Sequence, residues 1–237
     1  MVINLNKMTK LEESLKLKIF LIISFFFVVF TNNYFSYEQS IFLGARDGEN
    51  YFLIAQNFPD ISYDSLNYHK AWRFIIPTLI GFTGKILNID IYLLFRIFVL
   101  LFCVLTILIF FEILKFLELN NFQIFFLSSF IIFNPYLFRY FIASPTMIND
   151  LIFINASLVI VLGILKNNKI FFYTGILLSL LTRQNSIFFL ISIIISKFVF
   201  KKTSTHFNAM FFLVNLEPRA ITLALLCILL SFVDFLL

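Results

Sequence analysis

Charged residues are scarce in this sequence, making up only 13% of its 237 residues. An ordinary soluble domain contains about a quarter charged residues, whereas this chain is 61% hydrophobic and has a mean hydropathy of +0.97. Water cannot solvate such a sequence as a compact globule, because it offers too little polar surface. The composition therefore predicts a protein whose solvent is the lipid bilayer.

Glycine and proline are also few, with six and five residues, while phenylalanine alone supplies 36. Collagen-like, linker-rich and disordered chains need abundant glycine, proline or charge. These classes are therefore excluded.

Cysteine and histidine are too sparse to build a disulfide framework or a zinc site. Cys103 and Cys227 lie far apart in separate apolar runs, and His69 and His206 stand alone. No CxxC or Cys/His spacing typical of structural zinc accompanies them. The formal charge of +5 would suggest a nucleic-acid partner for a soluble protein. In a membrane protein it indicates topology, and no nucleic-acid partner is expected.

The apolar runs have the pattern of helices. In hydrocarbon every backbone amide must be paired within the chain, so spanning segments are helices or closed barrels. Residues 19–30 and 187–195 are apolar on all sides, without the alternation that a barrel strand needs. The predicted fold is an all-α, polytopic transmembrane helical bundle.

About seven apolar segments are candidate membrane helices. They are residues 17–34, 91–115, 122–141, 150–165, 170–181, 187–200 and 220–237. The first also has the appearance of a secretory signal peptide, but its flank, TNNYFSYEQ, lacks a small-residue cleavage pattern. A shorter apolar piece, 74–86, covers only about 20 Å and is predicted to lie on or dip into the membrane surface.

Lysine placement predicts the orientation of the bundle. Lysines cluster at 7–18, 166–169 and 197–202, and such loops lie in the cytoplasm by the positive-inside rule. The loops 35–90 and 134–149 are then outside. The short helices on either side of Thr182-Arg183-Gln184-Asn185 would form a hairpin whose tip reaches the outer side.

The domain organisation follows from these assignments. We expect one integral, multi-pass domain, 1–237, in the cell (inner) membrane, with a cytoplasmic N-terminus at 1–16. A long outer loop with short juxtamembrane helices would occupy 35–90, and a helical bundle 91–237. The bundle ends in an apolar segment with no polar tail, a pattern also typical of a C-terminally truncated chain.

Polar groups gathered on one side of a membrane protein are the first place to look for function. Asp47, Asn50, Tyr51 and Ile54 fall at i, i+3, i+4 and i+7, so one helical face would carry a carboxylate, an amide and a phenol. Such a face can hold a hydroxylated ligand. The alternative is that Asp47 caps a solvated surface helix.

Three further polar places lie on the predicted outer side. Arg73 opens the segment RFIIPTL, Arg183 and Gln184 form the tip within LLTRQNS, and Asp150 follows the loop PTMIN. Arginine can bind a phosphate bidentately. The alternatives are an interfacial anchor for Arg73, a polar turn at Arg183 and an N-cap at Asp150.

The order of these motifs resembles that of polytopic glycosyltransferases of the GT-C type, which use polyprenol-phosphate-linked sugars as donors. Members typically have a cytoplasmic N-terminus, one helix and a long outer loop with an acidic residue, which RDGENYFLIA matches here. They often continue with Arg-x-x-x-Pro-x-Leu and later a helix pair joined by Thr-Arg/Lys-Gln/Glu, matched by RFIIPTL and LLTRQNS. The resemblance extends over residues 1–200, although members usually have more helices and a soluble C-terminal domain.

The resemblance implies sugar transfer at the outer face of the membrane, with inversion at the anomeric carbon. Asp47 would be the general base for the acceptor hydroxyl, with Glu49 in reserve. Asp150 would position the acceptor or help to hold a divalent metal ion, which some members need and others do not. The residues implied in binding the donor phosphate or the substrates are Glu49, Asn50, Tyr51, Arg73, Asp150, Arg183 and Gln184. The implied partners are a lipid-linked sugar donor and membrane lipids.

Two other classes of function stay open. A transporter or lipid flippase would use the hairpin at Arg183 as part of a substrate pathway, although the sequence has no evident inverted repeat. A noncatalytic membrane scaffold would use the outer loop to bind a partner. Approach of Asp47, Arg73, Asp150 and Arg183 to one cavity would favour the enzyme, and scattered positions the scaffold.

Overall fold

The computed structural model describes residues 5–44, 47–61, 73–134, 136–183 and 191, and within these ranges it contains helices and turns but no strand. The α-helices in this part of the chain are α1 (Leu5–Thr31), α2 (Gln39–Leu43), α3 (Gly48–Gln56), α4 (Ile75–Leu87), α5 (Ile91–Phe116), α6 (Asn121–Phe133), α7 (Phe138–Ala143), α8 (Ile148–Leu165) and α9 (Lys169–Thr182). A 3₁₀ turn, Pro145–Met147, precedes α8. All of these elements belong to one compact unit, Met1–Ser186.

Three helical segments in the described ranges are long and apolar enough to cross a membrane: Glu12–Thr31, Ile91–Phe116 and Pro145–Leu165. The predictions of an all-helical chain and of helices fit to span a bilayer are confirmed for this part of the chain. The count of about seven spans and the outer placement of 35–90 stay predictions. The segments 187–200 and 220–237, and with them the second arm of the predicted hairpin, lie outside the described residues.

Asparagine and aspartate define several helix ends. Asp90 caps α5, its Oδ2 atom accepting a hydrogen bond from the Leu93 amide at 3.1 Å. Asn88 after α4 and Asn167 after α8 take left-handed backbone conformations, with φ of 52° and 49°, which asparagine tolerates better than most residues. These local signals explain why the predicted helices at 74–86 and 91–115 agree closely with α4 and α5.

The predicted span 122–141 is interrupted, so the prediction of one continuous helix there is wrong. Asn134, which ends α6, is extended with φ −70° and ψ 111°, and α7 begins only at Phe138. The cause is Pro135, because a residue that precedes proline is disfavoured in the helical region. The 13 residues of α6 cover about 20 Å, less than the ~30 Å of a hydrocarbon core.

The helix α8 packs along α5 and α9. Gly163 and Gly175 let α8 and α9 approach closely, since a Cβ atom on Gly175 would lie 2.8 Å from the carbonyl oxygen of Ala156. Small residues at helix contacts are typical of membrane proteins, where close packing drives association. On the other side of α8, the Asn155 amide donates to Thr106 Oγ1 of α5 at 3.0 Å. These contacts set the position of α8, the helix on which Asp150 lies.

Large apolar side chains are exposed in stripes on α1, α6 and α9. They recur every three or four residues: Phe20, Ile23, Phe27 and Phe30; Phe122, Phe126, Phe130 and Phe133; Ile170, Tyr173, Leu177 and Leu180. Stripes of this extent are unfavourable in water. Contact with lipid would cover them.

One end of the unit is held by an ion-pair network around Glu112 of α5. Its carboxylate binds Lys18 of α1 at 2.6 Å and Lys166, which follows α8, at 3.0 Å. Two lysines from sequence regions predicted to be cytoplasmic therefore share one end of the unit. Asp150, in the first turn of α8, is about 24 Å from Lys166 along the helix axis at 1.5 Å per residue.

Candidate functional site

Asp47 lies immediately before α3, at the position of a helix cap, but its side chain makes no capping hydrogen bond. Its Oδ2 atom instead faces Arg73, 3.5 Å from NH1, and 26% of the side chain is exposed. The capping alternative therefore does not account for this carboxylate. The Asp47 carboxylate is a partly exposed group held beside a guanidinium.

Tyr51 lies one turn further along α3 and is only 1% exposed. Its hydroxyl accepts a hydrogen bond from Arg73 NH1 at 3.2 Å. Burial raises the pKa of Tyr51, although the positive charge of Arg73 acts in the opposite direction, so the phenol stays neutral at physiological pH. Asp47 and Tyr51 thus share one guanidinium, as residues four apart on a helix can.

Arg73 lies in the turn before α4, and its surroundings differ from those of a surface anchor. The Asn149 amide donates to its carbonyl oxygen at 3.2 Å, and its Nε atom is buried without a hydrogen-bond partner among the described residues. Burial acts to lower the pKa of Arg73, but the Tyr51 hydroxyl and the carboxylates of Asp150 and Asp47 together raise it. Arg73 is therefore a charged, largely buried guanidinium whose Nε donor has no acceptor in the described part of the chain.

Asp150 and Arg183 form a bidentate ion pair. Arg183 Nε donates to Asp150 Oδ1 at 2.7 Å, and NH2 lies 2.6 Å from Oδ2. Both side chains are mostly buried, with 15% of Asp150 and 12% of Arg183 exposed. Parallel contacts of this kind are stronger and more directional than a single ion pair. The ion pair joins the beginning of α8 to the residue that follows α9. The N-cap alternative therefore does not account for Asp150, nor the polar-turn alternative for Arg183.

The two ion pairs belong to one group of side chains. Asp150 follows Asn149, which holds the Arg73 backbone, and its charge acts on the pKa of both Tyr51 and Arg73. We call this group the acid–arginine cluster; its members are Asp47, Tyr51, Arg73, Asp150 and Arg183. It lies at the end of α8 opposite the Glu112 network, and its two carboxylates balance its two guanidiniums.

The other predicted site residues are not brought into this cluster. Glu49 is exposed and Asn50 is half-buried, and no hydrogen bond or ion pair within the described ranges joins either to the cluster. Gln184 lies outside the described residues. The binding roles expected for these three stay predictions.

Asn149 is a residue of the site that sequence reasoning did not single out. It is 1% exposed, and its amide links the start of α8 to the Arg73 backbone. Its Oδ1 atom is buried without a partner in the described part of the chain. The available signal was its place beside an acidic residue at the start of an apolar helix, but that signal is weak because such residues usually serve as turn or cap residues.

The cluster offers groups for an anion and for a proton. Arg73 and Arg183 could bind a phosphate, and the Asp47 carboxylate could accept a proton from a hydroxyl. A divalent cation fits poorly, because both Asp150 oxygens are engaged by Arg183. Over the residues that the structure describes, no group of three or more His, Cys, Asp or Glu side chains is arranged to hold a metal ion.

Comparison with known proteins finds no similar family model, curated protein or solved structure. The function of the cluster has therefore to be inferred from the chemistry of its own residues and from the order of the sequence motifs.

Proposed function

We propose that this chain is a membrane glycosyltransferase-like protein of the GT-C type, which transfers a sugar from a polyprenol-phosphate donor to an acceptor at the outer face of the membrane. The observation that carries this proposal is the acid–arginine cluster. Its residues come from separate segments, with Asp47 and Arg73 26 positions apart and Asp150 and Arg183 33 apart. Four separate motifs selected them from sequence, with Asp47 and Tyr51 in the same one, so their convergence supports a shared site.

The position of the cluster along α8 supports its assignment to the outer face. Lys18 and Lys166 meet Glu112 at the other end of the unit, and lysine-rich ends lie in the cytoplasm by the positive-inside rule. The cluster, about 24 Å away along α8, would then lie toward the opposite leaflet. A donor whose lipid tail stays in the bilayer could present its phosphate there.

Asp47 is the proposed general base. It would take the proton from the acceptor hydroxyl as that oxygen attacks the anomeric carbon, while the bond from the anomeric carbon to the phosphate oxygen breaks. The sugar is transferred with inversion, and polyprenol phosphate leaves. The partial exposure of Asp47, 26% of its side chain, supports this role because an acceptor has to reach the carboxylate.

Arg73 is the proposed partner of the departing phosphate. Its buried Nε atom has no acceptor within the described ranges, and a phosphate oxygen would supply one. A preorganised donor in a water-poor site typically stabilises developing negative charge by about 3 kcal/mol. Tyr51, whose hydroxyl contacts Arg73 at 3.2 Å, would keep the guanidinium in position.

Arg183 and Asp150 are proposed to act mainly in structure and only secondarily in substrate binding. Because their ion pair is bidentate and mostly buried, its first task is to hold the ends of α8 and α9 together. Arg183 can still contribute positive potential to the bound phosphate, and Asp150 can orient an acceptor. No step of the proposed reaction requires a metal ion.

The test is a transfer assay on membranes containing the protein, supplied with a panel of radiolabelled lipid-phosphate sugars. Asp47→Asn should lower transfer by about 100-fold or more, because a general base typically contributes 10²–10⁴, and should leave expression and membrane insertion intact. Asp60→Asn is the matched control, since the same change is made at an exposed carboxylate. Unchanged transfer by Asp47→Asn would remove the proposed base.

The same assay separates the other classes of function. A transporter or flippase would move the labelled lipid across the membrane without forming a glycosylated product. A noncatalytic scaffold would do neither, and its Asp47→Asn variant would behave as the wild type.

A further inference from the structure

The short helix α2, Gln39–Leu43, ends beside the cluster, and its last carbonyl groups need hydrogen-bond donors. The final carbonyls of any helix lack intrahelical partners. Here the chain turns sharply after α2 at Gly44, whose φ is +71°, and α3 begins after Asp47. The position of Asp47 therefore depends on how the end of α2 is held.

Two hydroxyl groups from a distant segment donate to these carbonyl groups, and one of the carbonyls, Ile41 O, also accepts a hydrogen bond from the Gly44 amide at 3.1 Å. Ser144 Oγ donates to the carbonyl oxygen of Ile41 at 2.6 Å. Thr146 Oγ1 donates to that of Leu43 at 2.7 Å and also lies 3.1 Å from that of Phe42. Ser144 is 6% exposed and Thr146 0%, so water has little access to replace either donor.

The same segment leads directly into the other half of the cluster. Thr146 lies in the 3₁₀ turn that precedes α8, one turn before Asp150, while Leu43 lies four positions before Asp47. Gly48 allows the start of α3 to pack closely against Thr146, because a Cβ atom at position 48 would lie only 2.3 Å from Thr146 Oγ1. The backbone of the Asp47 segment therefore rests on the turn that starts the Asp150 helix.

We infer that Ser144 and Thr146 are positioning residues, which fix the Asp47 segment against the start of α8 and so set the distance between the proposed base and the rest of the cluster. Neither hydroxyl contacts the carboxylate of Asp47; both act through the backbone of α2. The catalytic consequence rests on the proposed function, whereas the positioning itself does not.

The test compares Thr146→Val, which keeps the shape but removes the donor, with Thr146→Ser, which keeps the donor. Thr83→Val is the matched control, because the Thr83 hydroxyl donates to Leu79 O within its own helix. Hydrogen exchange of the full chain in lipid nanodiscs should be about tenfold faster over residues 39–51 in Thr146→Val, the effect of losing one buried hydrogen bond. Thr146→Ser and Thr83→Val should exchange in this segment as the wild type does.

Turnover provides the second readout. Thr146→Val should lower kcat for sugar transfer by about tenfold, since displacing a reacting group by a fraction of an ångström is costly. The KM for the donor should stay unchanged, because Arg73 and Arg183 are intact, and Thr146→Ser should restore kcat.

Each outcome decides the inference. Unchanged exchange over 39–51 in Thr146→Val would overturn the positioning role, and faster exchange with wild-type kcat would overturn its catalytic consequence. If the wild type transfers no sugar, the proposed function fails, and the exchange comparison alone then decides whether the Thr146 hydroxyl holds this segment.

Discussion

Removing either partner of the Asp150–Arg183 pair should destabilise the protein more than removing both. The pair is bidentate, with contacts of 2.7 and 2.6 Å, and its side chains are only 15% and 12% exposed. Asp150→Leu leaves the Arg183 guanidinium largely buried without that carboxylate, and Arg183→Met leaves the carboxylate without that guanidinium. The double variant buries neither charge.

The magnitude follows from burial. Breaking a fully buried ion pair by removing one partner costs about 3–5 kcal/mol, and the remaining exposure here reduces the expected loss to about 2–4 kcal/mol per single variant. Replacing both charges with apolar groups is often neutral, so the double variant should lie within about 1 kcal/mol of the wild type. At about 2–4 °C per kcal/mol for a chain of this size, each single variant should melt roughly 4–16 °C lower.

Thermal unfolding in detergent can be followed with a thiol-reactive dye. Cys103 is 0% exposed, so it reacts only when the bundle opens, and Cys227→Ser removes the other cysteine of the sequence. Arg139→Met is a suitable control, because Arg139 is exposed, and it should melt with the wild type. Single variants no less stable than the double variant would refute the reasoning, since the charges would then be solvated rather than buried.

Two other predictions concern the orientation and packing of the helices. A membrane-impermeant thiol reagent applied from outside should label Glu49→Cys, at an exposed position of α3. It should not label Lys16→Cys, which lies on α1 toward the Glu112 end. The reverse labelling pattern would contradict the proposed sidedness. Gly175→Val should lower the melting temperature by an amount equivalent to about 1–3 kcal/mol, because a Cβ atom there meets Ile160 Cγ1 at 2.6 Å. Leu177→Val, on the exposed face of the same helix, is the control and should change the melting temperature little. A Gly175→Val protein as stable as the wild type would mean that α8 and α9 do not pack this closely.

The sequence by itself determined that the chain is helical and suited to a membrane. Charged residues are few, and the long apolar runs leave helices as the way to pair backbone amides in lipid. The apolar runs also placed α4 and α5 within one residue of their observed bounds, and the structure shows a local signal at each place, Asn88 where α4 ends and Asp90 where α5 begins. Such signals act over a few residues and can be read without knowing the fold. The break after α6 has an equally local cause, because Pro135 restricts the residue before it, but the prediction of one helix over 122–141 missed it.

The sequence could also select Asp47, Arg73, Asp150 and Arg183 one by one, each as a polar group near the end of a predicted helix. Only the tertiary structure decided their pairing: Arg73 faces Asp47 and Tyr51, while Arg183 binds Asp150. These contacts join residues 22 to 33 positions apart, and they depend on how α3, α8 and α9 pack.

The positioning hydroxyls were hidden from sequence for another reason. Ser144 and Thr146 donate to backbone carbonyl groups more than 100 positions away, and every residue has such a carbonyl. No side-chain pattern therefore marks the acceptors, and a serine and a threonine around a proline resemble any turn. Their partners exist only once α2 and the turn before α8 have been packed together.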